Sequence, residues 1–266
     1  MGAKLPILKI SESDASAKQA RAKLCALAVM AKAPRPGTVK TRLSPPLTPD
    51  QASDLNVCFL RDTSENIATV GRSGTAAALI SYTPVGEESL FGGILPDDFA
   101  LIAQRGTGFG ERLRAAAEDI LVCGFGAVCL IDGDSPTVPR SAFERAVQEL
   151  GRPGDRIIVG PSADGGYYLI GLKQVHPTLF EHIAWSTDTV YADTLARARE
   201  VGLEVVELPL WYDIDDAATL EILRAELLDG IVPPFATLSG YGAPHTREYL
   251  RTLASVAKPS LRDVTD

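Results

Sequence analysis

The sequence predicts an α/β fold with a mainly parallel central sheet and helices on both of its faces. Short apolar runs alternate with amphipathic segments along most of the 266 residues. Two of these runs, residues 24–31 and 127–131, contain no polar residue, which is typical of strands that are covered on both faces. Strands that alternate with helices form parallel sheets through right-handed crossovers. Since this length suits one large α/β unit, we predict a single domain over residues 21–230.

The individual elements follow from apolar periodicity and from turn residues. The predicted strands cover residues 24–31, 75–81, 99–104, 127–131, 156–160, 167–172 and 204–208. The predicted helices cover residues 49–70, 111–122, 141–150 and 188–201, and a last one ends near residue 228. Capping boxes mark two helix starts, one formed by Thr48 and Gln51 and the other by Ser141 and Glu144.

Both ends of the chain differ in composition from the domain between them. Residues 1–20 turn polar after a short apolar start and predict a flexible N-terminal arm. Residues 231–266 are rich in Pro, Gly, Ser, Thr and charged residues, which predicts a loosely packed tail with one short helix near residues 247–256. No run approaches the roughly 18 consecutive apolar residues of a membrane helix, so we expect no membrane insertion.

Charge and cysteine content narrow the class of protein further. The formal net charge of -8 argues against a nucleic-acid surface, because such surfaces carry fields of Lys and Arg. The four cysteines form no Cys-x-x-Cys pair, and most lie in apolar or amphipathic segments. We therefore expect reduced core thiols in a cytoplasmic protein.

A basic loop directly follows the first predicted strand. Ligands of open α/β sheets bind beyond the carboxyl ends of the strands, so this cluster in an acidic protein predicts a site for a nucleotide diphosphate or triphosphate. Lys and Arg supply charge-assisted hydrogen bonds, Thr hydroxyls add donors, and a glycine lets backbone N–H groups approach an anion. Neither the GxxxxGK[ST] nor the GxGxxG spacing is present, and a solvated basic loop is the alternative. The predicted phosphate-binding residues are Lys32, Arg35, Gly37, Thr38, Lys40, Thr41 and Arg42.

Two acidic clusters also follow predicted strands. Asp132 and Asp134 come directly after an apolar strand, and Asp213 begins the run Asp213-Ile-Asp-Asp before the last helix. Neighbouring carboxylates repel each other unless a cation lies between them, so the pattern predicts that Asp132, Asp134 and Asp213 bind Mg²⁺ or Mn²⁺. The same repulsion predicts that Asp134→Asn leaves the stability unchanged or raises it. Solvated turns and a helix N-cap at Asp215 or Asp216 are the alternatives.

Three further segments have the composition of substrate-binding walls. Asp164-Gly-Gly-Tyr-Tyr combines a carboxylate with two glycines before a strand, and residues 104–112 form a glycine-rich run before a helix. Ser186 and Thr187 precede another helix. We predict Asp164 as the general base, and substrate contacts from Gly165, Gly166, Tyr167, Ser186 and Thr187. Tight turns and a helix cap are the alternatives.

Six stretches carry a resemblance to a known family. They read MAKAPRPGTVKTRL (30–43), GERL (110–113), LIDGDSPTVP (130–139), GPSADGGYYLIGL (160–172), AWST (184–187) and LPLWYDIDDAATL (208–220). The chain resembles bacterial transferases of the GT-A, nucleotide-diphospho-sugar transferase fold that are named as glycosyltransferases of radical-SAM or arsenosugar gene neighbourhoods. It is also similar to phospholactate guanylyltransferases and molybdenum-cofactor nucleotidyltransferases, although these usually have Thr-Pro-Glu-Asp after the second aspartate of the late acidic run.

The resemblance implies a single-domain GT-A fold in which Asp132 and Asp134 form the metal-binding Asp-x-Asp and the loop at residues 32–43 faces the nucleotide. We expect a glycosyltransferase that uses a nucleotide-diphosphate sugar and a small-molecule acceptor, with Lys40 and Arg42 assisting departure of the diphosphate. The first alternative is guanylyl or cytidylyl transfer to a small phosphorylated acceptor, with release of pyrophosphate. The second is a nucleotide-binding module without catalysis. The oligomeric state is left open.

Overall fold

The computed structural model describes residues 5–9 and 14–256, which build one seven-stranded sheet covered by helices. The strands are β1 (Cys25–Lys32), β2 (Ala76–Thr83), β3 (Ala100–Ala103), β4 (Ala127–Ile131), β5 (Arg156–Pro161), β6 (Tyr167–Leu172) and β7 (Glu204–Glu207). The helices are α1 (Ala15–Arg21), α2 (Pro49–Gly71), α3 (Phe109–Val122), α4 (Arg140–Gly151), α5 (Val190–Glu200), α6 (Ala217–Asp229) and α7 (Pro244–Val256). The predicted fold class is confirmed.

The spatial order of the strands is β3-β2-β1-β4-β6-β5-β7. All neighbouring pairs are parallel except those of β6, which runs antiparallel to both β4 and β5. The carboxyl ends of the other six strands therefore lie at one edge of the sheet, and β6 begins there. This arrangement brings the segments after β1, β4 and β5, and those before β6 and α6, to the same edge.

Two apolar layers attach the helices to the sheet. One contains buried residues of α2, α4, α6 and α7, and the other contains buried residues of α3 and α5. The strands β1 and β4 face both layers, which explains their lack of polar residues. For example, Leu27 and Cys129 contribute to the first layer, and Ala26 and Val128 to the second.

Local sequence signals locate most element ends to within two residues. Thr48 caps α2 as predicted, because Gln51 N donates to Thr48 Oγ1 over 3.2 Å and Thr48 N donates to Gln51 Oε1 over 2.9 Å. The prediction for α4 is wrong at its start. Pro139 is the N-cap and Ser141 already lies in the first turn.

The described parts of the two chain ends contact the domain, and the predicted short helix near residues 247–256 is observed as α7. Leu5 is buried, Leu8 N donates to Leu101 O over 2.8 Å, and Ile7 forms an isolated parallel β-bridge with Leu101 of β3. In α7, Leu250 is fully buried between α2 and α6. Residues 1–4, 10–13 and 257–266 of the predicted arm and tail lie outside the described residues. No helix within the described ranges is long and apolar enough to cross a membrane.

Candidate active site

A cleft of about 700 Å³ opens at the carboxyl edge of the sheet. It is lined by the basic loop after β1, by the acidic residues after β4 and before α6, and by the segments around residues 104–113 and 184–190. These segments are far apart along the chain. The predicted meeting of the basic loop with the acidic clusters is observed, because Lys40 Nζ lies 2.8 Å from Asp134 Oδ1.

Lys40 occupies the centre of this contact and is almost completely buried, with 5% of its side chain exposed. Its ammonium group also donates to Ile214 O over 2.6 Å and to Asp215 Oδ1 over 3.2 Å. Burial by itself would lower the pKa of Lys40, but Asp134 and Asp215 outweigh that effect and hold the pKa above its usual value. Lys40 is therefore a charged lysine, and this charge offsets part of the negative charge of the acidic residues around it.

Asp132 lies half-buried at the end of β4. Its Oδ2 accepts a hydrogen bond from Ser135 Oγ over 2.7 Å, while Oδ1 is buried without a hydrogen-bond partner among the described residues. Burial, followed by repulsion from Asp134 and Asp213, raises the pKa of Asp132 well above its usual range. A buried carboxylate oxygen without a partner is costly, so this atom is suited to accept a cation or a proton.

Asp213 approaches the same cleft from the segment before α6. Ser162, which follows β5, donates its hydroxyl to Asp213 Oδ1 over 2.9 Å and so orients the carboxylate. Burial raises the pKa of Asp213 to about 6, with further contributions from Asp164 and Asp215. Neighbouring carboxylates therefore contribute to the raised pKa values of both Asp132 and Asp213.

The fit of a divalent metal depends on what a bound substrate adds. No group of three His, Cys, Asp or Glu side chains within the described residues is arranged to hold a metal ion alone. Mg²⁺, however, is commonly bound by one or two carboxylates and completed by phosphate oxygens and water. The partnerless oxygen of Asp132 and the oriented carboxylate of Asp213 fit that pattern. Asp134 Oδ1 forms an ion pair with Lys40, and the role of Asp134 as a metal ligand stays a prediction.

The other residues of the basic loop divide into two groups. Lys32, Thr38, Thr41 and Arg42 line the cleft as predicted, and Arg42 is 78% exposed. Arg35 does not line it and forms an ion pair with Glu87 instead. Gly37, also outside the cleft lining, adopts a positive φ of 73° in an open turn. Phosphate binding by Arg35 and Gly37 stays a prediction, and the ion pair of Arg35 with Glu87, which lies between β2 and β3, holds this side chain outside the cleft lining.

The segment before β6 only partly matches its predicted role. Asp164 and Gly166 line the cleft, and Asp164 Oδ1 accepts a hydrogen bond from Gly166 N over 2.9 Å. Gly165 does not line it. A Cβ there would lie 2.1 Å from Asp188 O, so this glycine allows the loop to pack against the segment before α5. The ring of Tyr167 reaches the cleft, but its hydroxyl is buried, and burial raises its pKa.

Ser186 and Thr187 line the opposite wall of the cleft as predicted. Both residues are exposed, and Ser186 adopts the left-handed conformation with a φ of 65°. The hydroxyl of Thr187 donates to Ala184 O over 2.6 Å, so it first stabilises its own turn. Of the two, Ser186 is therefore the better donor to a ligand.

Comparison with known proteins supports the same fold and region. A family model described as "Uncharacterized protein conserved in bacteria (DUF2064)" matches residues 66–187, a range that includes Asp132, Asp134 and Asp164. No curated protein matches the chain. Among solved structures, a protein from Desulfovibrio desulfuricans G20 with the provisional name nucleotide-diphospho-sugar transferase is 28% identical, with 87% of this chain and 96% of that chain covered and a TM-score of 0.73.

The fold is that of the nucleotide-diphospho-sugar transferases. A CMP:2-keto-3-deoxy-manno-octonic acid synthetase, solved with CTP, shares the fold at 14% identity, with 78% of this chain and 100% of that chain covered and a TM-score of 0.50. Nucleotide-dependent transferases of more than one reaction type therefore share this fold. The fold alone does not identify the reaction, which depends on the residues of the cleft.

The structure also reveals an aromatic wall of this transferase-fold cleft, formed by Phe109 and Trp185, that sequence reasoning missed. The two ring centroids lie 5.4 Å apart in an edge-to-face arrangement, and Phe109 is 45% exposed. Gly110 allows this contact, since a Cβ there would lie 2.3 Å from the Trp185 ring. The Arg112 guanidinium carbon lies 6.0 Å from the centre of the Phe109 ring. The glycines around Phe109 were the available signal, but they do not identify its distant partner.

Proposed function

We propose that the protein is a metal-dependent glycosyltransferase that uses a nucleotide-diphosphate sugar as donor and a small molecule as acceptor. The observation that carries the proposal is the single cleft that joins the carboxylates of Asp132 and Asp213 to the cations of Lys32 and Arg42. Its volume of about 700 Å³ falls in the range of sites that enclose a substrate of this size.

The number of basic side chains in the loop that are available to a ligand supports a diphosphate as the bound group. Of the four basic residues in the loop, Arg35 pairs with Glu87, and Lys40 is bound to Asp134 and Asp215. Lys32 and Arg42 line the cleft and retain donors for a ligand, although Arg42 Nη1 also lies 3.6 Å from Asp215 Oδ2. The positive charges of Lys32 and Arg42, together with a divalent metal ion, match the negative charge that develops on a departing nucleoside diphosphate.

In the proposed reaction an acceptor hydroxyl attacks the anomeric carbon of the sugar. The bond between that carbon and the diphosphate oxygen breaks, and the nucleoside diphosphate leaves. Asp164, which is exposed in the cleft, takes the proton of the acceptor hydroxyl. Lys32 and Arg42 stabilise the negative charge of the leaving group. A Mg²⁺ or Mn²⁺ ion held by Asp132 and Asp213 would supply further charge neutralisation at the diphosphate.

Nucleotidyl transfer is the second candidate, and a third cation favours it. Arg112 lines the cleft from α3, opposite the basic loop, and would raise the positive charge to what a triphosphate requires. Guanylyl or cytidylyl transfer to a small phosphorylated acceptor would then release pyrophosphate. The 28% identity to a protein provisionally named nucleotide-diphospho-sugar transferase favours the first candidate.

An assay of released products separates these reactions. The purified protein is incubated with Mn²⁺ and either UDP- or GDP-sugars or GTP and CTP, each with a panel of sugar, alcohol and phosphorylated acceptors. Release of nucleoside diphosphate from a nucleotide sugar is the expected result. Pyrophosphate release from a triphosphate would overturn it in favour of nucleotidyl transfer. A ligand-dependent rise in melting temperature with neither product would indicate a binding module without catalysis.

Arg42→Ala should raise the KM for the nucleotide donor at least about tenfold, because the substitution removes an exposed charge-assisted hydrogen bond to phosphate. Steady-state kinetics measures this change. Arg72→Ala is the matched control, since Arg72 is an exposed arginine at the end of α2 and outside the cleft lining. An unchanged KM in Arg42→Ala would exclude this residue from the phosphate site.

Phe109→Ala should raise the KM for the nucleotide donor about fivefold to 100-fold, because ring stacking is worth about 1–3 kcal/mol per base. The exposed ring of Phe109 offers such a face inside the cleft. Val122→Ala provides the control, as Val122 is similarly exposed at the other end of α3. Equal KM values for Phe109→Ala and the unmodified protein would remove the aromatic wall from the donor site.

A further inference from the structure

The ammonium group of Lys40 has its hydrogen-bonding capacity filled by the protein itself. A lysine ammonium has three N–H donors. Lys40 Nζ contacts three acceptors, which are Ile214 O at 2.6 Å, Asp134 Oδ1 at 2.8 Å and Asp215 Oδ1 at 3.2 Å. With 5% of the side chain exposed, little of it faces the cleft. A phosphate oxygen would have to displace one of these partners to bind Lys40.

Lys32 shows the contrasting arrangement in the same loop. Its Nζ donates to Thr38 O over 3.0 Å, and this is its one hydrogen bond within the described residues. Two of its three donors therefore remain for a ligand. The two lysines carry the same charge at the same cleft, but only Lys32 has donors to offer.

The backbone conformation of Lys40 and a hydrogen bond between its partner segments accompany the contacts of the Lys40 ammonium group. Lys40 adopts the left-handed conformation, with φ of 49° and ψ of 37°, which costs a residue other than glycine free energy. The three acceptors come from the segments after β4 and before α6, and these two segments are joined to each other by a hydrogen bond of 3.0 Å from Ile214 N to Asp134 O. The Lys40 ammonium also lies 5.8 Å from the centre of the Phe59 ring of α2. The side chain thus connects three separate segments at the base of the cleft.

We infer that Lys40 is a positioning residue that holds Asp134 and Asp215 in place and makes no direct contact with the substrate phosphates. The inference rests on the proposed function and reverses the role predicted for Lys40 from the sequence. It assigns direct phosphate contact in the basic loop to Lys32 and Arg42. By neutralising Asp134, Lys40 also reduces the repulsion that a nucleotide anion meets beside Asp132 and Asp213.

Nucleotide binding by Lys40→Met and Lys32→Met tests the inference, because each variant removes one positive charge from the cleft. The Kd for UDP and GDP is measured by calorimetry at saturating Mn²⁺ and at elevated salt, which screens long-range charge effects. We expect Lys32→Met to raise the Kd about tenfold or more, and Lys40→Met to raise it less than about threefold. At the same elevated salt concentration, turnover of Lys40→Met should fall about 100-fold through kcat, with KM nearly unchanged, because Lys40 no longer holds the segment that carries Asp132 and Asp134. A Kd raised as much in Lys40→Met as in Lys32→Met would overturn the inference.

A double-mutant cycle tests the contact without any ligand. The free energies of unfolding of Lys40→Met, Asp134→Asn and the double variant are compared with that of the unmodified protein. We expect each single variant to be destabilised and the double variant to lose clearly less than the sum of the two. The repulsion considered from sequence alone predicts the opposite sign for Asp134→Asn. Additive effects would show that Lys40 does not hold Asp134.

The two experiments distinguish a failure of the proposed function from a failure of the positioning role of Lys40. If the unmodified protein binds neither UDP nor GDP, the proposed function fails, while the cycle still measures the coupling between Lys40 and Asp134. If nucleotides bind and the cycle shows coupling, but Lys40→Met loses affinity as Lys32→Met does, the proposed function stands and the positioning role is rejected.

Discussion

Asp132→Asn should lower turnover at least about 100-fold and at the same time raise the melting temperature of the ligand-free protein near pH 8. The loss is expected because Asp132 is proposed to bind the metal that neutralises the leaving group, and removal of one such charge contact costs about 100- to 1000-fold in rate. The gain is expected because the ionised carboxylate is desolvated, lies near Asp134 and Asp213, and has one oxygen without a partner. Kinetics and thermal unfolding of the same preparation measure both effects.

The gain in stability should depend on pH in a defined direction. The pKa of Asp132 is raised in the folded protein, so its protonated form is favoured there. The corresponding stability is present below the unfolded-state pKa of about 3.9 and is lost as the pH rises through the folded-state pKa. The advantage of Asp132→Asn should therefore be large near pH 8 and absent near pH 4. Asp97→Asn, an exposed position outside the cleft lining, should change neither activity nor melting temperature. Full activity in Asp132→Asn would refute the metal assignment.

Asp62→Ala should lower the free energy of unfolding by about 2–4 kcal/mol. The Asp62 carboxylate is fully buried on α2 and accepts hydrogen bonds from His245 N at 3.0 Å and Thr246 N at 2.8 Å, at the first turn of α7. Alanine would leave two backbone donors without partners, and each buried unpaired group costs about 1–3 kcal/mol. Denaturant unfolding monitored by circular dichroism provides the measurement.

Asp62→Asn is the matched variant for this prediction. Its amide oxygen can still accept one of the two hydrogen bonds, so the loss of stability should be smaller than in Asp62→Ala. An unfolding free energy of Asp62→Ala equal to that of the unmodified protein would show that α7 does not depend on this contact. That result would agree with the loosely packed tail that the composition of residues 231–266 predicts.

The fold and the location of the cleft could be predicted because they depend on local patterns. The wholly apolar residues 127–131 predict a buried central strand whichever helices cover it, and the strand is observed with these bounds. Lys32 ends β1, Asp132 follows β4 and Asp213 precedes α6, so the alternation of strands and helices already assigns them to one edge of the sheet. The composition of residues 231–266 does not reveal that α7 contacts α2, because this contact depends on the distant Asp62 carboxylate, which accepts hydrogen bonds from the first turn of α7.

The sequence by itself determined the α/β class, the order of the elements and the edge at which charged residues gather. Only the tertiary structure decided what each charged side chain contacts there. Arg35 pairs with Glu87, and Lys40 is enclosed by a carbonyl and two carboxylates from segments far along the chain. Periodicity reports the environment of a residue's own element, whereas these ion pairs depend on distances between segments that meet only when the sheet and its helices are packed.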